Sequence, residues 1–273
     1  MSPPIDLLVE QVRATHPGLM VIVTGAGVSH ASGIPTFRGS DPDAVWAHDV
    51  TELGTFAYFA RDPVGSWRWY LKRFEHLEGA EPNDAHRACV ALESWQLARG
   101  GDFLLITQNI DTLHRRAGST RLVEVHGRAD RVRCPEDGCP LGAPRGSLPR
   151  DQLELAAFTA NPGPETLPRC PKCSSPLRQH VLWFDEYYTS HDDYAFDHVV
   201  EASARARLLL FVGTSFSVGV TDLLLRAGNA RRIPMFSIDP SGVAPTRGMV
   251  AIPEPAEAVL PELVRRVTKD PGD

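Results

Sequence analysis

Residues 20–39 read MVIVTGAGVSHASGIPTFRG, and the reading of this stretch decides the fold. Val21, Ile22 and Val23 form a short apolar, β-branched run of the kind buried in a parallel sheet. Gly25-Ala26-Gly27 comes next, and Ser29, His30 and Ala31 are placed to begin a helix. A strand, a tight glycine turn and a helix start together make an anion site. The glycines let the backbone approach a phosphate, and free N–H groups and the helix dipole face it. Only two glycines of the three-glycine dinucleotide fingerprint stand at the expected spacing, and no acid sits cleanly about twenty residues on. Taken alone, the segment is equally an ordinary strand-to-helix turn of any α/β protein. Residues 32–39 are less ordinary. Pro35 breaks the helix, and Phe37 and Arg38 stand just past the turn, in a loop suited to cover a ligand.

Composition sets the outer limits. The chain has 273 residues, 42% hydrophobic and 23% charged, which fits one large domain or one with a small insertion. A net charge of −6 argues against a broad nucleic-acid footprint, so no stable nucleic-acid partner is expected. No run approaches the roughly 18 apolar residues that span a bilayer. The N-terminus lacks a basic segment followed by an apolar one, so it does not read as a secretory signal. No membrane partner and a cytoplasmic location are therefore expected. Five cysteines are too few for a disulfide framework.

Outward from the opening stretch, 4–16 reads as an amphipathic helix. Residues 42–78 are rich in aromatics, and Trp67, Tyr70, Leu71 and Phe74 keep a helical stripe that mostly reads as a core face. Asn83 is a candidate N-cap for a helix running to Leu97, with Cys89 as a small buried apolar residue. Asp102–Thr107 is a second buried strand that runs into Gln108, Asn109, Ile110 and Asp111. Capping accounts for one of those polar side chains but hardly for all, and ligands bind at this edge of open α/β sheets. Leu122 to Gly127 reads as a third strand closing on His126, a candidate base. His180 to Phe184 reads as an apolar strand. Ala206–Val212 is the most hydrophobic strand and is followed by Gly213-Thr214-Ser215, a place for ribose or phosphate contacts. Pro234 to Asp239 is a further strand. Its terminal acid suits ribose hydroxyls or an ordinary Asp-Pro turn about equally. Residues 256–268 form a last amphipathic helix.

Residues 128–180 differ in character. They hold many prolines and two cysteine pairs, Cys134 with Cys139 and Cys170 with Cys173. Two such pairs point to one tetrahedral zinc with four cysteine ligands. A redox CxxC would not need the first pair. Four thiolates leave no open coordination position, so the ion is expected to be structural and to fold a module with little core of its own.

GAGVSHASGIPTFRG, TQNIDTLH, VEVHG, the two cysteine pairs, VLWFDE and GTS, in this order, resemble the sirtuin family of NAD-dependent protein lysine deacylases. The resemblance covers about residues 15–265. It implies an α/β fold: a Rossmann-type parallel-sheet domain over 1–40, 81–127 and 181–273, with a smaller domain made of a helical insertion (41–80) and the zinc module (128–180). It implies NAD as co-substrate and acyl-lysine proteins or peptides as partners, bound in the cleft between the two domains. Gly25, Ala26 and Gly27 would face the pyrophosphate, and Thr36, Phe37 and Arg38 would line the nicotinamide side. Gln108, Asn109 and Asp111 would hold the ribose and carboxamide. Gly213, Thr214, Ser215 and Asp239 would hold the adenosine half. Val181, Trp183, Phe184 and Glu186 would bind the peptide. The expected catalytic residues are His126 and Asn109.

The implied chemistry begins with nicotinamide leaving the ribose and the acyl oxygen attacking in its place. His126 then accepts a proton from the ribose diol, and water completes release of lysine and O-acyl-ADP-ribose. An imidazole suits that step, and Phe37 would exclude water until then. Tyr70 and Arg73 match the Tyr-x-x-Arg pair of sirtuins that remove succinyl and malonyl groups, with Thr36 and the small Gly54 in keeping. An arginine fork and a phenol make a sound carboxylate receptor. Their plainer reading is a core aromatic and a solvated arginine. Two departures stand out. Asp185 occupies a position where the family has Gly, which is expected to alter peptide binding. Asp239 stands where Asn is common. ADP-ribosyl transfer or NAD hydrolysis is a second enzymatic reading, against which the intact His126 argues. A non-enzymatic NAD-sensing module would require a lost catalytic residue, and none is lost.

Overall fold

The structure is a computed structural model that describes residues 3–35 and 50–269. Thr36, Phe37 and Arg38, expected at the nicotinamide side, lie outside the described residues. In chain order the first half runs α1 (Pro4–Thr15), β1 (Leu19–Thr24), a 3₁₀ segment (Ala26–Ser32), α2 (Val50–Leu53), α3 (Phe56–Arg61), α4 (Pro63–Phe74), α5 (Asp84–Ala98), β2 (Asp102–Thr107), α6 (Leu113–Ala117) and β3 (Leu122–Glu124). The second half runs β4 (Gly127–Arg133), β5 (Leu148–Pro149), α7 (Ala156–Ala160), β6 (Arg178–Val181), α8 (Phe196–Arg205), β7 (Ala206–Val212), α9 (Gly219–Arg231), β8 (Met235–Ile238), β9 (Met249–Ile252) and α10 (Ala256–Thr268).

Six strands form a parallel sheet in the order β3-β2-β1-β7-β8-β9. This is the doubly wound Rossmann order, and its direction reverses between β1 and β7. β1 is buried along its whole length because both faces of the sheet are covered. Met20 and Ile22 join the core under α1, α5 and α10, while Val21 and Val23 join the opposite core under α8 and α9. The alternation follows from the two-residue period of a strand. The helix starting after Asn83 begins with a capping box: Asn83 accepts from the Ala85 and His86 amides, and the His86 Nδ1 accepts from the Asn83 amide. Cys89 is fully buried in that helix.

A second, three-stranded antiparallel sheet (β5-β4-β6) belongs to the cysteine-bearing segment. Its residues share one apolar cluster with the helices of the insertion. Phe59, Trp67, Tyr70 and Phe74 pack with Val132, Phe158, Leu177 and Trp183, and the Trp67 indole N–H donates to the Leu177 carbonyl at 2.6 Å.

Several expectations need correcting. The helix expected after the glycine turn is a seven-residue 3₁₀ segment ended by Gly33 at φ 83°. The third strand stops at Glu124, and His126 lies in the turn between β3 and β4. The strand expected over 180–184 is instead β6, which starts earlier and stops at Val181. Its side chains Arg178, Gln179 and His180 are buried, so polarity hid it from a reading based on apolar runs. β9, α8 and α9 had no counterpart in the sequence reading. Among the described residues no helix is long and apolar enough to cross a membrane.

Candidate active site

A cleft of about 1030 Å³ opens at the C-terminal ends of the strands, beside the point where β1 and β7 diverge. Within the described chain, all the residues expected to hold NAD or substrate line it, and so does His126; the four cysteines do not.

The floor is built by two touching turns. Gly25 N–H donates to the Val212 carbonyl at 3.0 Å, and Gly27 N–H to the Gly213 carbonyl at 2.9 Å. A Cβ on Gly27 would sit 2.7 Å from the Gly213 Cα, and Gly213 itself has φ +57°. The glycines are therefore required first by the approach of one turn to the other. The Gly25, Gly27 and Val28 amides are already engaged within the protein, and a short 3₁₀ segment carries little of the dipole of a full helix.

Side chains from the end of β2 brace the same turns. Gln108 donates from Nε2 to the Thr24 carbonyl (3.1 Å) and the Thr214 hydroxyl (3.0 Å). Asn109 donates from Nδ2 to the Gly25 carbonyl (3.1 Å) and the Ser29 hydroxyl (3.0 Å). The Ser29 hydroxyl donates in turn to Asp111 at 2.7 Å, and the other Asp111 oxygen accepts from the Leu113 amide at 2.9 Å. Burial pushes the Asp111 carboxyl above its ordinary value, and these hydrogen bonds oppose the shift. His114, at the end of TQNIDTLH, is a core residue. It is buried beside His86, at 4.6 Å between rings, and hydrogen-bonds the Thr24 hydroxyl.

His126 Nδ1 lies 2.8 Å from the Gln108 carbonyl oxygen. A carbonyl only accepts, so Nδ1 carries the proton and Nε2 keeps its lone pair toward the cleft. Burial lowers the imidazole below its ordinary value, partly offset by the Gln108 bond. The ring is thus neutral and basic at neutral pH. Nε2 is 3.4 Å from the Tyr188 hydroxyl.

At the far end of the cleft, Tyr70 and Arg73 are both buried on α4. The Arg73 guanidinium lies 3.4 Å above the Trp69 ring, and its NH1 donates to the Trp69 carbonyl at 3.2 Å. Trp69 and Tyr70 meet edge to face at 4.7 Å. Tyr70 also lies 6.3 Å from the Trp183 ring. Gly54 leaves no room for a side chain: a Cβ there would sit 2.7 Å from the Val50 carbonyl oxygen.

The 181–186 segment is fixed from two sides. Phe184 N–H donates to the Gly54 carbonyl at 3.0 Å. The Glu186 carboxylate binds Arg133 (2.8 Å), the Arg178 guanidinium (3.0 Å) and the Trp183 amide (2.9 Å). The arginines hold it below the usual carboxylate range against the opposing effect of burial. Asp185 accepts from the Phe56 and Ala57 amides, at 2.7 and 3.0 Å. The carboxylate expected to alter peptide binding is thus turned onto the start of α3.

The cysteine cluster fits zinc. The four sulfurs lie within 4.8 Å of one another, with Cys134–Cys173 at 3.4 Å and Cys139–Cys170 at 3.7 Å. A tetrahedron with Zn–S bonds of about 2.3 Å requires sulfurs about 3.8 Å apart. His180, His191 and Asp193 form a second cluster. There His191 donates from Nε2 to the Gly146 carbonyl (3.1 Å) and accepts at Nδ1 from the Asp193 amide (3.1 Å). With both nitrogens engaged, His191 ties the 191–193 turn to the cysteine-bearing segment.

A model of the Sir2 family matches residues 25–220. The chain belongs to the Sir2 family. A relative from Thermus thermophilus named NAD-dependent protein deacylase is 37% identical over 222 residues, covering 81% of this chain and 79% of the relative. Among solved structures, a mutant Sir2 homologue in complex with ADP ribose shares 33% identity and superposes with a TM-score of 0.78, covering 96% of each chain. A Sir2 homologue–NAD complex shares 34% identity with a TM-score of 0.77, covering 96% of this chain and 93% of that one. The chain thus has the Rossmann-like parallel-sheet fold of the sirtuins, and it carries a four-cysteine cluster suited to zinc.

Among the cleft residues that escaped the sequence reading of the site are Ser29, Trp69 and Tyr188. Ser29 stood in the opening stretch but was taken for part of a helix start. Trp69 lies in the aromatic-rich 42–78 stretch, where its spacing of four from Arg73 puts the pair on one helix face. Nothing in the order of residues brings Tyr188 to His126; that meeting is tertiary.

Proposed function

We propose that this chain is an NAD-dependent protein-lysine deacylase, giving nicotinamide, O-acyl-ADP-ribose and free lysine, and that acidic acyl groups are among its substrates beside acetyl. The observation that carries the reading is His126, with Nδ1–H held by the Gln108 carbonyl and Nε2 turned to the cleft. That is the arrangement of a general base.

NAD, when bound, supplies an electrophilic ribose carbon as nicotinamide leaves. The chain's residues would bind and orient around that centre. Gln108, Asn109 and Asp111 hold the nicotinamide-side rim, and Gly213, Thr214, Ser215 and Asp239 the adenosine side. His126 accepts a ribose hydroxyl proton at Nε2. Tyr70 and Arg73 receive the carboxylate of a succinyl or malonyl group, since a guanidinium stacked on an aromatic still presents N–H groups in its plane. Zinc held by Cys134, Cys139, Cys170 and Cys173 stabilises the smaller part without entering the chemistry. The division into a Rossmann-type part (1–40, 81–127, 181–273) and a smaller part (41–80, 128–180) belongs to the same proposal.

The test uses one peptide carrying acetyl-, succinyl- or malonyl-lysine, with and without NAD. Wild type deacylates only with NAD, and His126→Ala lowers turnover on the order of 10²- to 10⁴-fold while NAD still binds. Because burial lowers the His126 imidazole, the base stays neutral to lower pH, and the acid limb of kcat/KM falls below about 6.5. Full turnover by His126→Ala would sink the mechanism.

A further inference from the structure

Tyr188 takes no part in that chemistry, yet its ring is held between the base and Phe196. Its ring faces the His126 imidazole at 5.9 Å between centroids and 21° between planes. It also stacks on Phe196 at 4.6 Å and 11°. The hydroxyl stands 3.4 Å from His126 Nε2. The direction of that bond is set by the Gln108 contact on the other nitrogen. Nδ1–H is given to the Gln108 carbonyl, so Nε2 can only accept. The phenol O–H is therefore the donor to Nε2.

We propose that Tyr188 is a positioning residue for His126, its hydroxyl and ring holding the imidazole with Nε2 aimed into the cleft. The proposal rests on reading His126 as the base of a deacylase. Gln108 fixes one nitrogen of the ring and Tyr188 the other, so the imidazole plane is set from both edges. At 3.4 Å the Tyr188 bond is long for an O–H donor. An entering ribose hydroxyl can therefore replace it at Nε2 at small cost, leaving the ring already oriented. The phenol also lies against the start of α9, where a Cβ on Gly219 would sit 3.4 Å from the Tyr188 Cε2, just past the 213–218 turn on the adenosine side of the cleft.

Tyr188→Phe keeps both ring stacks and removes only the hydroxyl. A typical neutral hydrogen bond implies a loss in kcat for deacylation of about 2- to 10-fold, with KM for NAD unchanged. Incorporation of labelled nicotinamide into NAD breaks and remakes the glycosidic bond before His126 takes its proton, so its rate stays at the wild-type value. In a His126→Ala background, Tyr188→Phe adds nothing further. An unchanged kcat, an equal loss of exchange and turnover, or an additive loss in the double variant would each overturn the proposal. The positioning is also read without substrate. In ¹⁵N spectra the His126 Nε2 resonance moves in Tyr188→Phe while the fold is retained, and a resonance that stays in place refutes the contact. Wild type inactive with every acyl peptide defeats the deacylase reading, whereas active wild type with an indifferent Tyr188→Phe defeats this inference alone.

Discussion

At one end of the cleft the Gly27 N–H meets the Gly213 carbonyl at 2.9 Å; at the other the Arg73 guanidinium lies 3.4 Å above the Trp69 ring. The first end is made of backbone, two glycine turns pressed together and braced by Gln108 and Asn109. The second is made of side chains carried on short helices and packed against the cysteine-bearing segment through one shared apolar cluster. The contrast bears on tolerance to change. A backbone-built end has no side chain to trade, so any added atom displaces a main chain. A side-chain-built end can be retuned one residue at a time, which suits the part of a site that distinguishes acyl groups.

The sharpest way to break this contrast is Gly27→Ala. The new Cβ would sit 2.7 Å from the Gly213 Cα and 3.0 Å from its carbonyl oxygen. Neither is a flexible side-chain tip, so the two turns must part. The expected result is a stability loss of about 1–3 kcal/mol, together with loss of NAD binding as the turns separate. Thermal unfolding and titration with NAD measure the two effects. A variant that unfolds and binds like wild type would mean the two turns do not press on each other.

Arg73→Met probes the other end and is expected to be selective. Removing a charged hydrogen-bond donor to a carboxylate costs about 1.5–3 kcal/mol. That lowers kcat/KM for succinyl-lysine about 10- to 100-fold, while kcat/KM for acetyl-lysine is nearly unchanged. Steady-state kinetics on matched peptides reads the difference. Equal losses on both substrates would show that Arg73 supports the helix and does not read the acyl group.

The same contrast explains what the sequence made legible. β2, β7 and α10 were bounded correctly because apolar runs, glycines and an amphipathic period mark them locally. The Asn83 cap was legible for the same reason, its partners lying within three residues. β6 was displaced because Arg178, Gln179 and His180 are buried polar residues, satisfied in part by Glu186 and Asp193 from other segments. The candidate site was legible as a set of residues, and the cleft does gather those that lie in the described chain. Their internal duties were not. The mutual packing of Gly25, Gly27 and Gly213, the clamp on Glu186 and the approach of Tyr188 to His126 all join residues far apart in the chain.

Asp185 gives the smallest expected effect and the finest test, because it joins the 181–186 segment to the helices that carry the acyl end. The first amides of α3 are all satisfied: Phe56 and Ala57 donate to Asp185, at 2.7 and 3.0 Å, and Tyr58 donates to the Thr55 hydroxyl at 3.1 Å. Helix starts leave such donors without intrahelical partners, and an acid near them also complements the helix dipole. Glycine at 185 would leave the Phe56 and Ala57 amides to water. Because Asp185 is exposed, Asp185→Gly is expected to cost about 1 kcal/mol or less. Asp185→Asn, which keeps one acceptor, falls between the two. Hydrogen exchange locates the effect: protection falls at Phe56 and Ala57 in Asp185→Gly and stays unchanged in α5. If those two amides exchange as in wild type, the carboxylate does not hold α3, and the charge at 185 must be explained through the bound peptide instead.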